Sequence, residues 1–263
     1  MFGYGGPAPL GRVRLPETKP MQTDTPNSAR PPLDDCTLAI MAKAPRPGMV
    51  KTRLAACLPS TAIAGLYCCL LEDTLQLAQS LGSVKTAIVS PASDVEELSR
   101  LAGGGVSVVA QTGEGLGAGL TSVFAHFLAA GRRRIIAFNS DSPHLEASAL
   151  LAAFDALADC DLVVGPTHDG GYYLVGATAC HPGLFASAAL GTTNALDTLL
   201  ARAASLGLSV RLTDPFYDID LPADLSRLAG ELRFTPGRAP RTARWLARWE
   251  QTAAGTQPGG VDP

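Results

Sequence analysis

Two groups of side chains in this sequence stand at spacings that could do phosphate chemistry. Lys51 and Arg53 close the stretch Ala42-Lys-Ala-Pro-Arg-Pro-Gly-Met-Val-Lys-Thr-Arg-Leu54, which follows the apolar run from Thr37 to Met41. A buried strand, a loop of Pro45, Pro47 and Gly48, and then a helix would bring two cations beside free helix N–H groups, an anion site suited to a nucleotide phosphate. A solvated polar loop is the plainer alternative. The second group is acidic: Asp141, Asp218 and Asp220 fall where strands are expected to end. Positions two apart in an extended segment face the same way, so Asp218 and Asp220 can address one point. A hard cation is commonly held by one or two carboxylates plus phosphate oxygens, so the set points to Mg²⁺ or Mn²⁺. Taken singly, Asp141 also reads as a helix N-cap, and Asp218 with Asp220 as a turn before Pro222.

Two further stretches could contact ligand. Gly113, Gly115, Gly117 and Gly119 do not fit the dinucleotide fingerprint G-x-G-x-x-G, but they let the backbone approach a flat group such as a nucleoside base. In His168-Asp-Gly-Gly-Tyr-Tyr173, Asp169 could take the proton of an acceptor hydroxyl, or serve only as the acid of a hairpin turn.

The elements that must position these residues alternate. Strands are expected at Cys36 to Met41, Val84 to Val89, Val106 to Ala110, Ile135 to Phe138, Asp161 to Gly165, up to Gly176 after the Gly170-Gly171 turn, and Leu208 to Leu212. Helices are expected from Pro59 to Ala78, Asp94 to Leu101, about Gly119 to Gly131, Ala195 to Ser205, and from Ser142 and Pro143, as N-cap and first turn, to Leu157. Such alternation predicts an α/β fold, a mostly parallel sheet with helices on both faces and ligands beyond the carboxyl ends of the strands. Residues 1–33 read as a flexible Pro/Gly-rich leader, 34–233 as the catalytic domain, and 234–263 as a C-terminal helix and disordered tail. Trp245 and Trp249, four apart, read as packing residues.

Composition narrows the partners. With 263 residues, 46% hydrophobic content and a net charge of −3, the chain can bury a core and lacks the basic balance of a nucleic-acid binder. Its six cysteines and four histidines form no zinc-type spacing. No apolar segment reaches membrane-spanning length and the N-terminus lacks a secretory apolar core, so a cytoplasmic protein with small-molecule partners is expected, its oligomeric state left open.

The ordered set Ala42-Lys-Ala-Pro-x-Pro-Gly-x-Val-Lys-Thr-Arg-Leu54, Leu116-Gly117, Ser140-Asp-x-Pro143, Asp169-Gly-Gly-Tyr-Tyr-Leu174 and Asp218-x-Asp220-x-Pro-x-Asp224 resembles the radical-SAM/selenodomain-associated transferases. These belong to the GT-A, or nucleotide-diphospho-sugar transferase, superfamily and carry an arsenosugar-biosynthesis glycosyltransferase label. The set is also distantly similar to 2-phospholactate guanylyltransferase. The resemblance implies that Lys43, Lys51 and Arg53 hold nucleotide phosphates and that Gly115, Leu116 and Gly117 border the base. It further implies that Asp141, Asp218 and Asp220 hold the metal, and that Asp169, Gly170, Gly171 and Tyr172 face the acceptor. Asn139, where a small residue is expected, and the apolar Ala118-Gly119-Leu120 depart from the pattern. The expected activity is a metal-dependent transferase using a nucleotide-sugar or a nucleoside triphosphate with a small acceptor. Lys51, Arg53 and Asp169 would be catalytic. Glycosyl transfer leads slightly, ahead of nucleotidyl transfer with pyrophosphate release and of a non-catalytic nucleotide-binding module.

Overall fold

The computed structural model describes residues 32–186 and 194–255. The expected leader lies outside the described residues up to position 31, as does the expected tail beyond position 255. The strands are β1 (Cys36–Met41), β2 (Lys85–Ser90), β3 (Ser107–Ala110), β4 (Arg134–Asn139), β5 (Leu162–Pro166), β6 (Tyr172–Ala177) and β7 (Val210–Leu212). The α-helices are α1 (Ser60–Gln79), α2 (Val95–Ala102), α3 (Gly115–Ala129), α4 (Ala147–Ala156), α5 (Ala195–Ser205), α6 (Pro222–Phe234) and α7 (Pro240–Gly255).

The strands form one sheet in the order β3-β2-β1-β4-β6-β5-β7. Only β6 opposes its neighbours, pairing antiparallel with β4 and with β5. Sheet side chains alternate between faces, so β1 supplies Leu38 and Ile40 to one layer and Ala39 to the other. The first layer packs on Leu71 and Leu75 of α1, Leu98 of α2 and Phe154 of α4. The second packs on Phe124 and Phe127 of α3 and Leu199 of α5. Strands covered on both faces read as unbroken apolar runs, which is why Ile135 to Phe138 and Leu162 to Val164 stand out in the sequence.

Two expectations need correction. The helix expected from Ser142 and Pro143 starts only at Ala147. Ser142 does not cap it, because its hydroxyl donates to the Tyr217 carbonyl (3.1 Å) and accepts from Asn139 Nδ2 (3.0 Å). A tertiary partner has outcompeted the local cap, leaving residues 140–146 as a loop at the end of β4. The other correction is α6, where only a turn before Pro222 was expected. Pro222 is suited to the first helical turn, and the Asp224 carboxylate accepts the N–H groups of Leu221 (2.7 Å) and Asp220 (3.2 Å).

The back of α1 carries a third core, in which Leu66 and Leu70 meet Leu228 and Leu232 of α6 and Leu246 of α7. Trp245 and Trp249 stack at 5.5 Å and pack against this cluster. Asp73, buried on α1, accepts the N–H groups of Arg241 (3.1 Å) and Thr242 (2.8 Å), satisfying amides in the first turn of α7 from another helix.

Candidate active site

At the carboxyl ends of β1, β2 and β4 the chain opens a cleft of about 870 Å³. Its first wall is the loop after β1. Asp94, at the start of α2, accepts the Ala44 N–H (2.9 Å) and Arg46 Nη1 (2.9 Å), while Glu97 takes Arg46 Nε (2.9 Å). Burial works against the Asp94 charge, but the Ala44 amide, the Ser93 hydroxyl and Arg46 outweigh it and hold its carboxyl below the usual range. Arg46 is thus committed to pinning the loop.

The loop ends at Lys51, the only non-glycine with positive φ among the described residues (φ 46°, ψ 43°). This left-handed backbone turns the side chain inward, where it is only 10% exposed. Its ammonium touches Asp141 Oδ2 and lies 3.6 Å from Asp220 Oδ1. Arg53, 64% exposed, holds Asp220 Oδ2 at 2.5 Å. Asp141 and Asp218 lie on neighbouring segments joined by the Ile219 N–H donating to the Asp141 carbonyl (3.2 Å). Burial pulls the Lys51 pKa down, opposed by the charges of Asp218 and Asp220; burial pushes the Asp218 carboxyl up, opposed by Lys51.

Of the residues singled out in the sequence, Lys43, Lys51, Gly115, Leu116, Asp141, Tyr172 and Asp218 line the cleft. Gly115 opens α3, so unpaired amides of that helix border the same space. Gly117, Arg53, Asp169, Gly170, Gly171 and Asp220 lie off its wall. Asp169 belongs to the turn of the β5–β6 hairpin, where its Oδ1 accepts the Thr167 hydroxyl (2.5 Å) and the Gly171 N–H (3.2 Å). Burial raises its pKa, but those two donors lower it further, so it stays ionised and a weaker base than a free carboxylate.

The three acids were expected to share one ion. Among the described residues no three His, Cys, Asp or Glu side chains are grouped to do so, and a lysine ammonium lies among the acids instead. Asp141 and Asp218 alone, both on the cleft wall, are hard oxygen donors of the number and type that Mg²⁺ takes when phosphate supplies further ligands.

Sequence reasoning missed Tyr67. Its buried hydroxyl accepts the Lys43 N–H (3.2 Å) and pairs with Ser140 Oγ (2.8 Å), joining the lysine loop to the segment that carries Asp141. The one available signal was a tyrosine on the apolar face of α1. Asp94 was read only as a helix start, which it is, without its second task of holding the loop.

A model of the family described as "Uncharacterized protein conserved in bacteria (DUF2064)" matches residues 74–192, less than half of the chain. No curated protein matches. Among solved structures, a protein of Desulfovibrio desulfuricans provisionally named a nucleotide-diphospho-sugar transferase is 25% identical, with a TM-score of 0.76 over 82% of this chain and 96% of that one. A cytidylyltransferase from Leptospira borgpetersenii is 10% identical, with a TM-score of 0.52 over 87% and 99%. The 4-diphosphocytidyl-2C-methyl-D-erythritol synthase of Anaerococcus prevotii is 13% identical, with a TM-score of 0.51 over 76% and 98%. The last two likenesses concern the fold alone. The chain has a GT-A-like, nucleotide-diphospho-sugar transferase fold. Among the described residues no helix is long and apolar enough to cross a membrane.

Proposed function

We propose that this chain is a divalent-metal-dependent transferase that takes an activated nucleotide, of the nucleotide-sugar type, and passes its sugar to a small acceptor. The observation that carries the reading is the buried contact of Lys51 with Asp141, beside Asp218, on the wall of a cleft at the strand ends of a GT-A-like sheet. The nucleotide-diphospho-sugar transferase name of the similar structure supports the sugar form. So does charge: Lys43 and Lys51 line the cleft together with Glu114, Asp141 and Asp218, a balance that one divalent cation shifts to suit a diphosphate. The motif resemblance to the radical-SAM/selenodomain-associated transferases points the same way.

In this reading Asp141 and Asp218 hold the cation, with Asp220 behind them keeping Arg53 in place. Bound there, the cation would supply charge stabilisation to the departing phosphate oxygens. Lys51 takes a phosphate oxygen that the cation leaves free, and Lys43 adds a second positive charge. The first amides of α3, at Gly115 and Leu116, approach the nucleoside. Tyr172 and its β6 neighbours form the acceptor side, positioned by the Asp169 turn. The catalytic unit is residues 34–233, braced by α7. All six cysteines are free thiols, which suits a reducing cytoplasm.

Nucleotidyl transfer is the second reading. It draws on the commitment of Asp169 Oδ1 to its own turn, because an acceptor phosphate needs no base to attack the α-phosphorus. Incubation with Mg²⁺, a panel of nucleotide-sugars and nucleoside triphosphates, and a metabolite extract as acceptor separates the two. Accumulating nucleoside diphosphate supports sugar transfer, and pyrophosphate supports nucleotidyl transfer. Nucleotide binding without turnover, unchanged in Asp141→Asn, would overturn both in favour of a binding module.

A further inference from the structure

Lys51 combines two costly features. Its backbone holds a left-handed conformation that a side chain disfavours, and its ammonium is withdrawn from water. The reward is contact with Asp141 and Asp220 and the field of Asp218. Asp141 and Asp220 reach the same ammonium from two segments, so their charges would repel one another without a cation there, and here that cation is part of the chain. Resting on the metal-nucleotide reading above, we infer that Lys51 is an internal stand-in for the divalent cation, so that the site takes the metal only together with a polyphosphate.

A metal ion arriving alone must draw Asp141 away from Lys51 and leave a buried ammonium short of a counter-charge. A metal ion arriving with a polyphosphate brings that counter-charge, because Lys51 can exchange a carboxylate oxygen for a phosphate oxygen. Binding of the two is then positively coupled, and the coupling is reciprocal. Free metal is refused by the same side chain that later grips the substrate, which keeps the empty site from filling with whichever divalent ion is abundant.

The test is Mn²⁺ binding by the full-length protein, read from the electron paramagnetic resonance of free Mn²⁺ with no nucleotide present. Lys51→Gly suits the purpose, since it removes the ammonium and accepts φ 46° without strain. Lys51→Met, with a thermal melt for each protein, guards against a folding artefact. The expected result is at least tenfold tighter Mn²⁺ binding in both variants than in the wild type, a gain that adding Asp141→Asn removes. Unchanged Mn²⁺ affinity in the folded variants overturns the inference, as does a gain that survives Asp141→Asn. A nucleoside triphosphate arm keeps the two readings apart. If wild-type protein retains Mn²⁺ with the triphosphate while Lys51→Gly shows no gain without it, only the stand-in role fails. If neither protein retains Mn²⁺ under any condition, the metal-nucleotide reading fails with it.

Discussion

The Tyr67 hydroxyl lies 2.8 Å from Ser140 Oγ and accepts the Lys43 N–H at 3.2 Å, so one phenol on α1 ties together the loops that follow the neighbouring strands β1 and β4 at the cleft. Thr74, two turns further along the same helix, shares its hydroxyl proton between the Leu70 carbonyl (2.8 Å) and, more weakly, the Ser140 carbonyl (3.2 Å). Tyr67→Phe keeps the ring and removes the bridge, leaving the Lys43 amide without its acceptor. A loss of about 1–2 kcal/mol is expected in urea unfolding. Nucleotide affinity should weaken as well, because the lysine loop is no longer fixed against Asp141; calorimetric titration measures it.

His144 predicts acid sensitivity. It is buried against Phe216 and Tyr217, neither ring nitrogen has a hydrogen-bond partner among the described residues, and burial lowers its pKa from 6.5 to about 4. The folded value lies below the unfolded one, so between these limits the unfolded chain binds more protons. Stability contributed by neutral His144 is therefore full above about pH 6.5 and is lost as pH falls towards 4, by about 3 kcal/mol in total. His144→Phe should flatten the thermal melting profile across pH 4 to 6.5. An unchanged slope would remove His144 as its source.

Asp73 tests whether α7 is an integral part of the structure. Its carboxylate accepts two α7 amides and the Arg241 guanidinium (3.3 Å). Asp73→Ala strands the buried Thr242 N–H and removes the partner of the Arg241 N–H, while the Arg241 guanidinium keeps Gln76 and Glu72, and a destabilisation of about 2–3 kcal/mol is expected. Protease cleavage after Arg244 and Arg248, followed by mass spectrometry, should rise at the same time.

Asp169 separates a turn residue from a base. Asn offers the same acceptor oxygen to the Thr167 hydroxyl and the Gly171 amide, and Ala offers none. Asp169→Asn should retain turnover within a few-fold and melt near the wild type, while Asp169→Ala loses about 1–2 kcal/mol. A drop in kcat of a hundredfold or more in a well-folded Asn variant would instead give Asp169 the proton-transfer role.

The sequence by itself determined what depends on near neighbours. β1 runs from Cys36 to Met41 and α5 from Ala195 to Ser205, as apolar spacing and turn residues indicate, because strand and helix periods are set within a few residues. The strand-helix alternation likewise determined the mostly parallel sheet and the placing of Lys51, Asp141 and Asp218 beyond strand ends. Tertiary structure decided which partner each polar side chain accepts. Ser142 is a good local cap but pairs with Tyr217, 75 positions away; Asp73 serves a helix 168 positions on; Arg53 meets Asp220 across 167. In each case the short-range option costs little to abandon, and packing brings a distant group close enough to win. For Lys51 the outcome also runs against local preference: its backbone is left-handed, and its ammonium meets Asp141 and Asp220 from distant segments.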